Sequence, residues 1–126
     1  MTHEHCGENR QRLADEFRSC RSLFTAFGDE NRQQIILTLL EAEQVGLRVG
    51  YITEQTHLSR PAVSHHLKIL KEAGVISLKK IGTKNYYYIN ATNPLWKELR
   101  DFTAEVYQIV NQASGCGYPE IGERND

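Results

Sequence analysis

A mainly α-helical chain carrying one two-stranded β-hairpin is what this sequence predicts, and three observations predict it. Along most of the 126 residues, apolar side chains recur at alternating steps of four and three, the mark of helices with one buried side. Between residues 75 and 90 that period gives way to "VISLKK" and "NYYYIN", rich in β-branched and aromatic residues and joined by "IGTK", with a glycine at the bend. The composition, 40% hydrophobic and 25% charged, is that of a globular domain, and the length allows one modest core but no second full domain.

In chain order, residues 1–9 are polar and read as a frayed tail, and residues 114–126, "SGCGYPEIGERND", read as a second one. The domain proper is expected over 10–113. Its first helix covers "QRLADEFRSCRSLFTAF", where Leu13, Phe17, Cys20, Phe24 and Phe27 form one stripe. Gly28 ends it, and Asp29 caps a helix through "ENRQQIILTLLE" whose apolar face is Ile35, Ile36, Leu39 and Leu40. After "VGLRVG", the segment "YITEQTH" fits about two helical turns. A tight link at Leu58 and Ser59 leads into "SRPAVSHHLKIL", with Ser59 as N-cap, Pro61 in the first turn and Gly74 as the left-handed stop. Beyond the hairpin, Asn93 caps a last helix opened by Pro94, with Leu95, Leu99, Phe102, Val106 and Ile109 as its stripe. The order is that of a winged helix-turn-helix.

The formal net charge of −1 conceals an uneven distribution. From Leu58 to Asn90, Arg60, Lys68, Lys71, Lys79, Lys80 and Lys84 face Glu72 alone, a net +5 that leaves −6 for the remainder. A basic block on an acidic body is the footprint of a polyanion-binding face. No apolar run approaches the length of a membrane span and "MTHEHCGENR" has no leader-like core, so a cytoplasmic protein without a membrane partner is expected. The three cysteines, Cys6, Cys20 and Cys116, have no C-x-x-C spacing and suggest no disulfide framework. Catalysis finds no support either: there is no Gly-rich phosphate loop and no nucleophile elbow, and only Glu72 shares a helix with the paired histidines.

On a helical wheel, residues 60–73 place Val63, Leu67 and Leu70 on one side, with His66 and Ile69 at its border. Ser64, His65 and Lys68 lie opposite, flanked by Lys71, while Ser59 and Arg60 sit at the leading end. A major groove admits an α-helix and shows each base pair as a distinct donor and acceptor pattern, which suits this outward set. A polar face is equally what any solvated helix carries, and a basic winged-helix face can also meet an acidic protein. The short preceding helix, the tight link, the glycine stop and the basic hairpin, taken together, favour a DNA reader.

The strings "FTAFGDENRQQIILTLL" and "LSRPAVSHHLKILKEAGVI" resemble the ArsR/SmtB family of bacterial winged-helix transcriptional regulators, over about Leu23 to Asn90. The resemblance implies a homodimeric repressor on an inverted-repeat double-stranded DNA operator. It puts Ser59, Arg60, Ser64 and His65 at the groove and Lys79, Lys80 and Lys84 in the wing, with Lys68 and Lys71 left as phosphate contacts. In the family the first and last helices form the dimer interface, which here would comprise Leu13, Phe17, Leu95, Leu99, Phe102, Val106 and Ile109. The alternative is that Leu95, Leu99 and Phe102 only cap the monomer core.

Members of that family commonly release DNA on binding a metal or on oxidation of a thiol pair, and the chain departs from both patterns. "GLRVGYI" offers Arg48 and Gly50 where the arsenic-type site has cysteines, residues 94–113 hold no histidine, and residues 30–41 hold no cysteine. What remains for a metal is His3, His5 and Cys6, with Cys116 near the other end, a permissive set that a polar tail can also contain by chance. No cofactor is expected. Cys20, on the apolar stripe, reads as a small buried hydrophobe.

Overall fold

A computed structural model describes residues 3–111, and among these it shows six helices and one antiparallel hairpin. The elements are α1 (His3–Ser19), α2 (Arg21–Phe27), α3 (Glu30–Glu41), α4 (Val49–Glu54), α5 (Arg60–Glu72), β1 (Ile76–Ile81), β2 (Lys84–Ile89) and α6 (Pro94–Asn111). They form two compact units: residues 20–97, and α1 together with α6 from Glu98 onward.

The unit of residues 20–97 is built around Leu23, Ile35, Ile52, Val63, Leu67, Leu70, Val75 and Ile76, all buried. α5 lies at its centre, packed on α3, α4 and β1. Its end is set by the chain's own chemistry. Gly74 adopts φ +84°, its N–H donates to the Lys71 carbonyl and the Val75 N–H to the Leu70 carbonyl, both at 3.0 Å. That pair of bonds is the Schellman arrangement, accompanied by the buried contact partners Leu70 and Val75. A Cβ on Gly74 would meet Asn93 Oδ1 at 3.1 Å, so both conformation and space require glycine there.

The hairpin pairs Ile76 with Ile89 through to Ile81 with Lys84, and Gly82 at φ +62° takes the first place of its two-residue turn. By strand alternation, Leu78 and Tyr87 share one face while Lys79 and Tyr86 share the other. Leu47 extends the hairpin as an isolated antiparallel bridge, exchanging two 2.8 Å hydrogen bonds with Tyr87. Asn93 Oδ1 accepts from the Leu95 N–H at 2.9 Å and opens α6, as expected. Trp96 then donates its indole N–H to the Val75 carbonyl at 3.3 Å and sets its ring 6.0 Å from that of Phe27.

Several boundaries differ from expectation. The stripe from Leu13 to Phe27 is not one helix, because the chain breaks at Cys20 (φ −96°, ψ 5°). After the break the buried positions are Cys20, Leu23 and Ala26, with Phe24 and Phe27 only half-buried; the interior accepts the smaller side chains of the next face. α1 starts at His3, inside the stretch read as a tail. The short helix begins two residues earlier than "YITEQTH", at Val49. Leu40 is not on the buried face of α3 but 63% exposed. The bridge at Leu47 has no alternating pattern to announce it.

In the second unit, Phe17 and Phe102 meet edge to face at 5.9 Å. Beside them, Arg12 Nε lies 3.8 Å from Glu16 and 3.5 Å from Glu105. One guanidinium thus serves two carboxyls, and the Oε2 atoms of both glutamates are shielded from water and can bond each other only when one carboxyl is protonated. Burial, a shared hydrogen bond with Glu105 and repulsion from it push the Glu16 carboxyl above its ordinary range, against the pull of Arg12; Asp101 adds to the rise. A carboxyl raised in the folded state stabilises the fold at pH below its unfolded value and loses that contribution as pH climbs through the folded one. Glu105→Gln is therefore expected to melt above the parent at neutral pH, with the gap closing on acidification. Melting followed by circular dichroism across a pH series checks this, and a parent at least as stable as the variant at neutral pH contradicts it.

Candidate nucleic-acid interface

α5 is positioned at both ends. At its start, Ser59 has extended backbone (φ −71°, ψ 159°), and its side chain accepts from the Ala62 N–H at 3.3 Å. Pro61 occupies the first turn, where its missing N–H costs no bond. Between its ends the helix divides sharply: Val63, Leu67 and Leu70 are fully buried, while Arg60, Ser64, His65, Lys68 and Lys71 are exposed. Lys68 makes only a long 3.9 Å pair with Glu72, weak at such exposure. Lys79, Lys80 and Lys84 are exposed along the hairpin. All nine expected contact residues lie in the unit of residues 20–97, Ser59 included.

Of the two histidines, His65 is exposed and His66 half-buried, with ring centroids 5.9 Å apart. His66 Nδ1 lies 3.2 Å from Arg32 Nη1. A guanidinium only donates, so in this contact the hydrogen bond runs from Arg32 to the ring nitrogen. His66 is thus a packing residue, as the wheel indicates.

Arg32 does more than meet His66. Its Nε donates to the Ala26 carbonyl at 2.8 Å and its Nη2 to the Thr25 carbonyl at 3.2 Å. Gln33 Nε2 adds a 2.6 Å bond to the Phe27 carbonyl. The first turn of α3 therefore binds the last carbonyls of α2, where Thr25 also accepts from the Gly28 cap N–H at 3.2 Å. In return, Asp29 caps α3 by accepting from the Asn31 and Arg32 N–H groups at 2.8 and 3.1 Å. The Arg32 N–H leads the causes that hold the Asp29 carboxyl below its usual range; burial opposes it, and the Asn31 N–H adds to the lowering.

Arg32 carries a sequence signal outside any motif. It falls at the head of the stripe Ile35, Ile36 and Leu39, so a charged side chain stands where the helix meets the interior. Of the terminal metal set, the side chains of His3, His5 and Cys6, and the whole of Cys116, lie outside the described residues. Among the described residues, no group of three or more His, Cys, Asp or Glu is placed to hold a metal ion. Cys20 is buried, in keeping with its apolar reading. No helix of the described residues is long and apolar enough to cross a membrane.

The sequence model described as "Bacterial regulatory protein, arsR family" matches residues 29–77, a span running from the Asp29 cap through α5 into β1. The chain is 39% identical over 75 residues to the uncharacterized HTH-type transcriptional regulator MJ1325 of Methanocaldococcus jannaschii, covering 60% of this chain and 82% of that protein. The chain belongs to the ArsR family. Transcriptional repressor SdpR of Bacillus subtilis is 41% identical over 71 residues, 56% of this chain and 76% of the repressor. The solved transcriptional repressor BigR from Xylella fastidiosa has the same fold, at TM-score 0.57 and 20% identity over 86% of this chain and 96% of BigR. An ArsR-like regulator from Rhodococcus sp. RHA1 superposes at TM-score 0.59 and 21% identity, over 78% and 85%. The ArsR chain described here is accordingly a transcriptional regulator with a DNA-binding winged helix-turn-helix, in which α4 and α5 are the helix pair and β1 and β2 the wing.

Arg32→Lys is expected to cost this ArsR protein about 1–3 kcal/mol, since an ammonium cannot donate along the three fixed directions of the guanidinium. Urea unfolding measures it, and a midpoint equal to the parent's would show that the three bonds contribute nothing net.

Proposed function

We propose that this ArsR-family chain is a repressor that binds an inverted-repeat operator as a homodimer, without a cofactor, and is released by an effector. The observation that carries the reading is the division of α5, whose apolar side is wholly buried while Arg60, Ser64, His65 and Lys68 stand in solvent. Arg60 at the head of the helix, with Ser64, His65 and the Ser59 end, supplies the base-edge contacts that choose a sequence. Lys68, Lys71 and the wing lysines Lys79, Lys80 and Lys84 supply phosphate contacts, which add affinity for any duplex. Repression is favoured by the 41% identity to the repressor SdpR.

Dimerisation is supported by apolar surface that the chain leaves uncovered on the unit of α1 and α6. Phe17 is 47% exposed, Tyr107 70% and Val110 63%. Leu13, Leu99, Phe102 and Val106 are half-buried beside them in the sequence stripes, so they still have surface to give. Leu95 and Ile109 have almost none left, at 9% and 7%, and would back the interface rather than form it. The solved winged helix-turn-helix domain of Mb0332 from Mycobacterium bovis, of the same fold, is homodimeric. Two recognition helices one duplex turn apart, roughly 34 Å, then demand a palindromic site.

Selection of bound sequences from random duplex tests the reading: a symmetric site with half-sites about one turn apart is expected, and an unstructured consensus contradicts it. On the selected site, Arg60→Ala is expected to cost about 1–3 kcal/mol and to relax preference at one position of each half-site. Lys84→Ala should instead weaken specific and random duplex alike and reduce the slope of log affinity against log salt, by about one per lost phosphate contact. Equal losses from both variants on both duplexes would refute this division of labour. Val110→Asp is expected to weaken the dimer about tenfold or more, given the roughly 1.5–3 kcal/mol that a buried valine contributes. Sedimentation equilibrium decides that point, and an unchanged dimer constant removes Val110 from the interface.

A further inference from the structure

One groove on the unit of residues 20–97 touches the proposed reading only at Arg60. It has a volume of about 880 Å³ and runs between the end of α3, the loop into α4, α4 itself and β2, with Arg60 also on its wall. That volume falls in the range of small-molecule sites, roughly 300–1,000 Å³.

Its lining is chemically unusual for a solvated surface. Arg48 and Arg60 line it together with Glu41, Glu43 and Glu54, yet no salt bridge joins any of them among the described residues. Guanidinium groups bind carboxylate or phosphate through paired hydrogen bonds. Glu41 ends α3, where the helix carbonyls add to the attraction for a cation. A purely anionic ligand would face three carboxylates and a purely cationic one two guanidiniums. A ligand carrying both charges meets a partner for each. Tyr51, half-exposed, and Tyr86 supply aromatic faces in the same groove.

Gly50 points the same way. It lies within α4, where glycine costs stability relative to alanine, and its φ is not positive. A Cβ there would meet nothing within 4 Å, so neither packing nor backbone conformation requires glycine. What the missing side chain does leave is bare helix on the groove wall.

We propose that this groove is an effector site for a small amphoteric aromatic molecule, one with an anionic and a cationic group on a planar ring, and that its occupancy withdraws Arg60 from DNA. The second half rests on the DNA reading given above; the binding site itself does not. Arg60 cannot hold a ligand anion and a base edge or phosphate at once, so the two ligands oppose each other, and by linkage each weakens the other equally.

Three probes with one ring test this: 4-(aminomethyl)benzoate carries both charges, 4-methylbenzoate only the anion and 4-methylbenzylamine only the cation. In two-dimensional NMR of the full chain at millimolar probe, the zwitterion is expected to shift the amides of Leu47, Val49, Gly50 and Tyr86. The singly charged probes should bind at least about fivefold more weakly. The zwitterion also weakens binding to the selected duplex, and Gly50→Met, which fills the groove, abolishes both effects while leaving probe-free duplex affinity intact. Should that variant not fold, Tyr51→Ala serves in the same comparison. No shift localised to the groove overturns the site, and equal binding of all three probes overturns the charge matching. A localised shift with unchanged duplex affinity at saturation overturns the opposition at Arg60. A chain that shows no sequence preference even without probe fails the DNA reading instead, and the groove is then judged by the shifts alone.

Discussion

Everything the recognition helix does depends on where Arg32 holds its neighbours. A half-buried guanidinium needs its donors satisfied, and this one places them on two helices other than its own: the carbonyls of Thr25 and Ala26 at the end of α2, and the ring nitrogen of His66 on α5. The geometry of the fork fixes directions as well as distances, so α2, α3 and α5 are set relative to one another by a single side chain. Hydrophobic packing of α3 on α5 would by itself tolerate sliding at little cost. Directional bonds from a charged group would not. The cap made by Asp29 belongs to the same device, because the N–H groups it binds are those of the turn that carries Arg32.

With that frame fixed, the division of α5 follows from its sequence alone. Val63, Leu67 and Leu70 are spaced to face one way, and the core consumes them completely. The remaining positions cannot turn inward without burying Ser64, Lys68 or Lys71 unpaired, so the polar side is held in solvent by the cost of the alternative. The Schellman end at Gly74 then redirects the chain within two residues into β1, which keeps the wing on the same unit as the helix it accompanies. Lys79, Lys80 and Lys84 thereby belong to the same compact unit as Lys68 and Lys71, although up to sixteen residues separate them in the chain.

Where the sequence carried local chemistry, it could be read. Asp29, Ser59 and Asn93 as caps, Pro61 in a first turn, Gly74 as a stop and Gly82 in a hairpin bend are each dictated by backbone requirements within three or four residues, and each is found. What escaped depends on distant partners. The break at Cys20 interrupts a stripe that is continuous on paper, because the interior prefers Leu23 and Ala26 to the bulkier Phe24 and Phe27. The bridge between Leu47 and Tyr87 joins residues forty positions apart and needs Gly46, at φ +105° and with Tyr86 Cβ only 3.1 Å from where its own Cβ would stand, to let the strands approach. Arg32 was visible as a charge at the head of an apolar stripe, but its three acceptors were not. The stripe proposed for a dimer was legible as apolar periodicity, and only burial distinguishes Val110 and Tyr107, which have surface to offer, from Leu95 and Ile109, which have spent theirs.

Charge and specificity are distributed unequally, and the consequence bears on regulation. On the proposed reading, the five exposed lysines of α5 and the wing provide sequence-independent attraction, while the acidic remainder of the chain keeps the formal net charge at −1. Such a balance limits non-specific retention on bulk DNA, since phosphate attraction falls steeply with salt and the acidic body opposes it at longer range. On that reading discrimination falls to the few groups at the head and outer side of α5, of which Arg60 alone carries both charge and a bidentate geometry. A protein whose site choice is concentrated in so few groups can be switched by engaging one of them, without moving a helix or breaking a core. The groove that shares Arg60 is placed to do this, and it would act through direct competition, needing no rearrangement of the α2, α3 and α5 frame that Arg32 holds rigid.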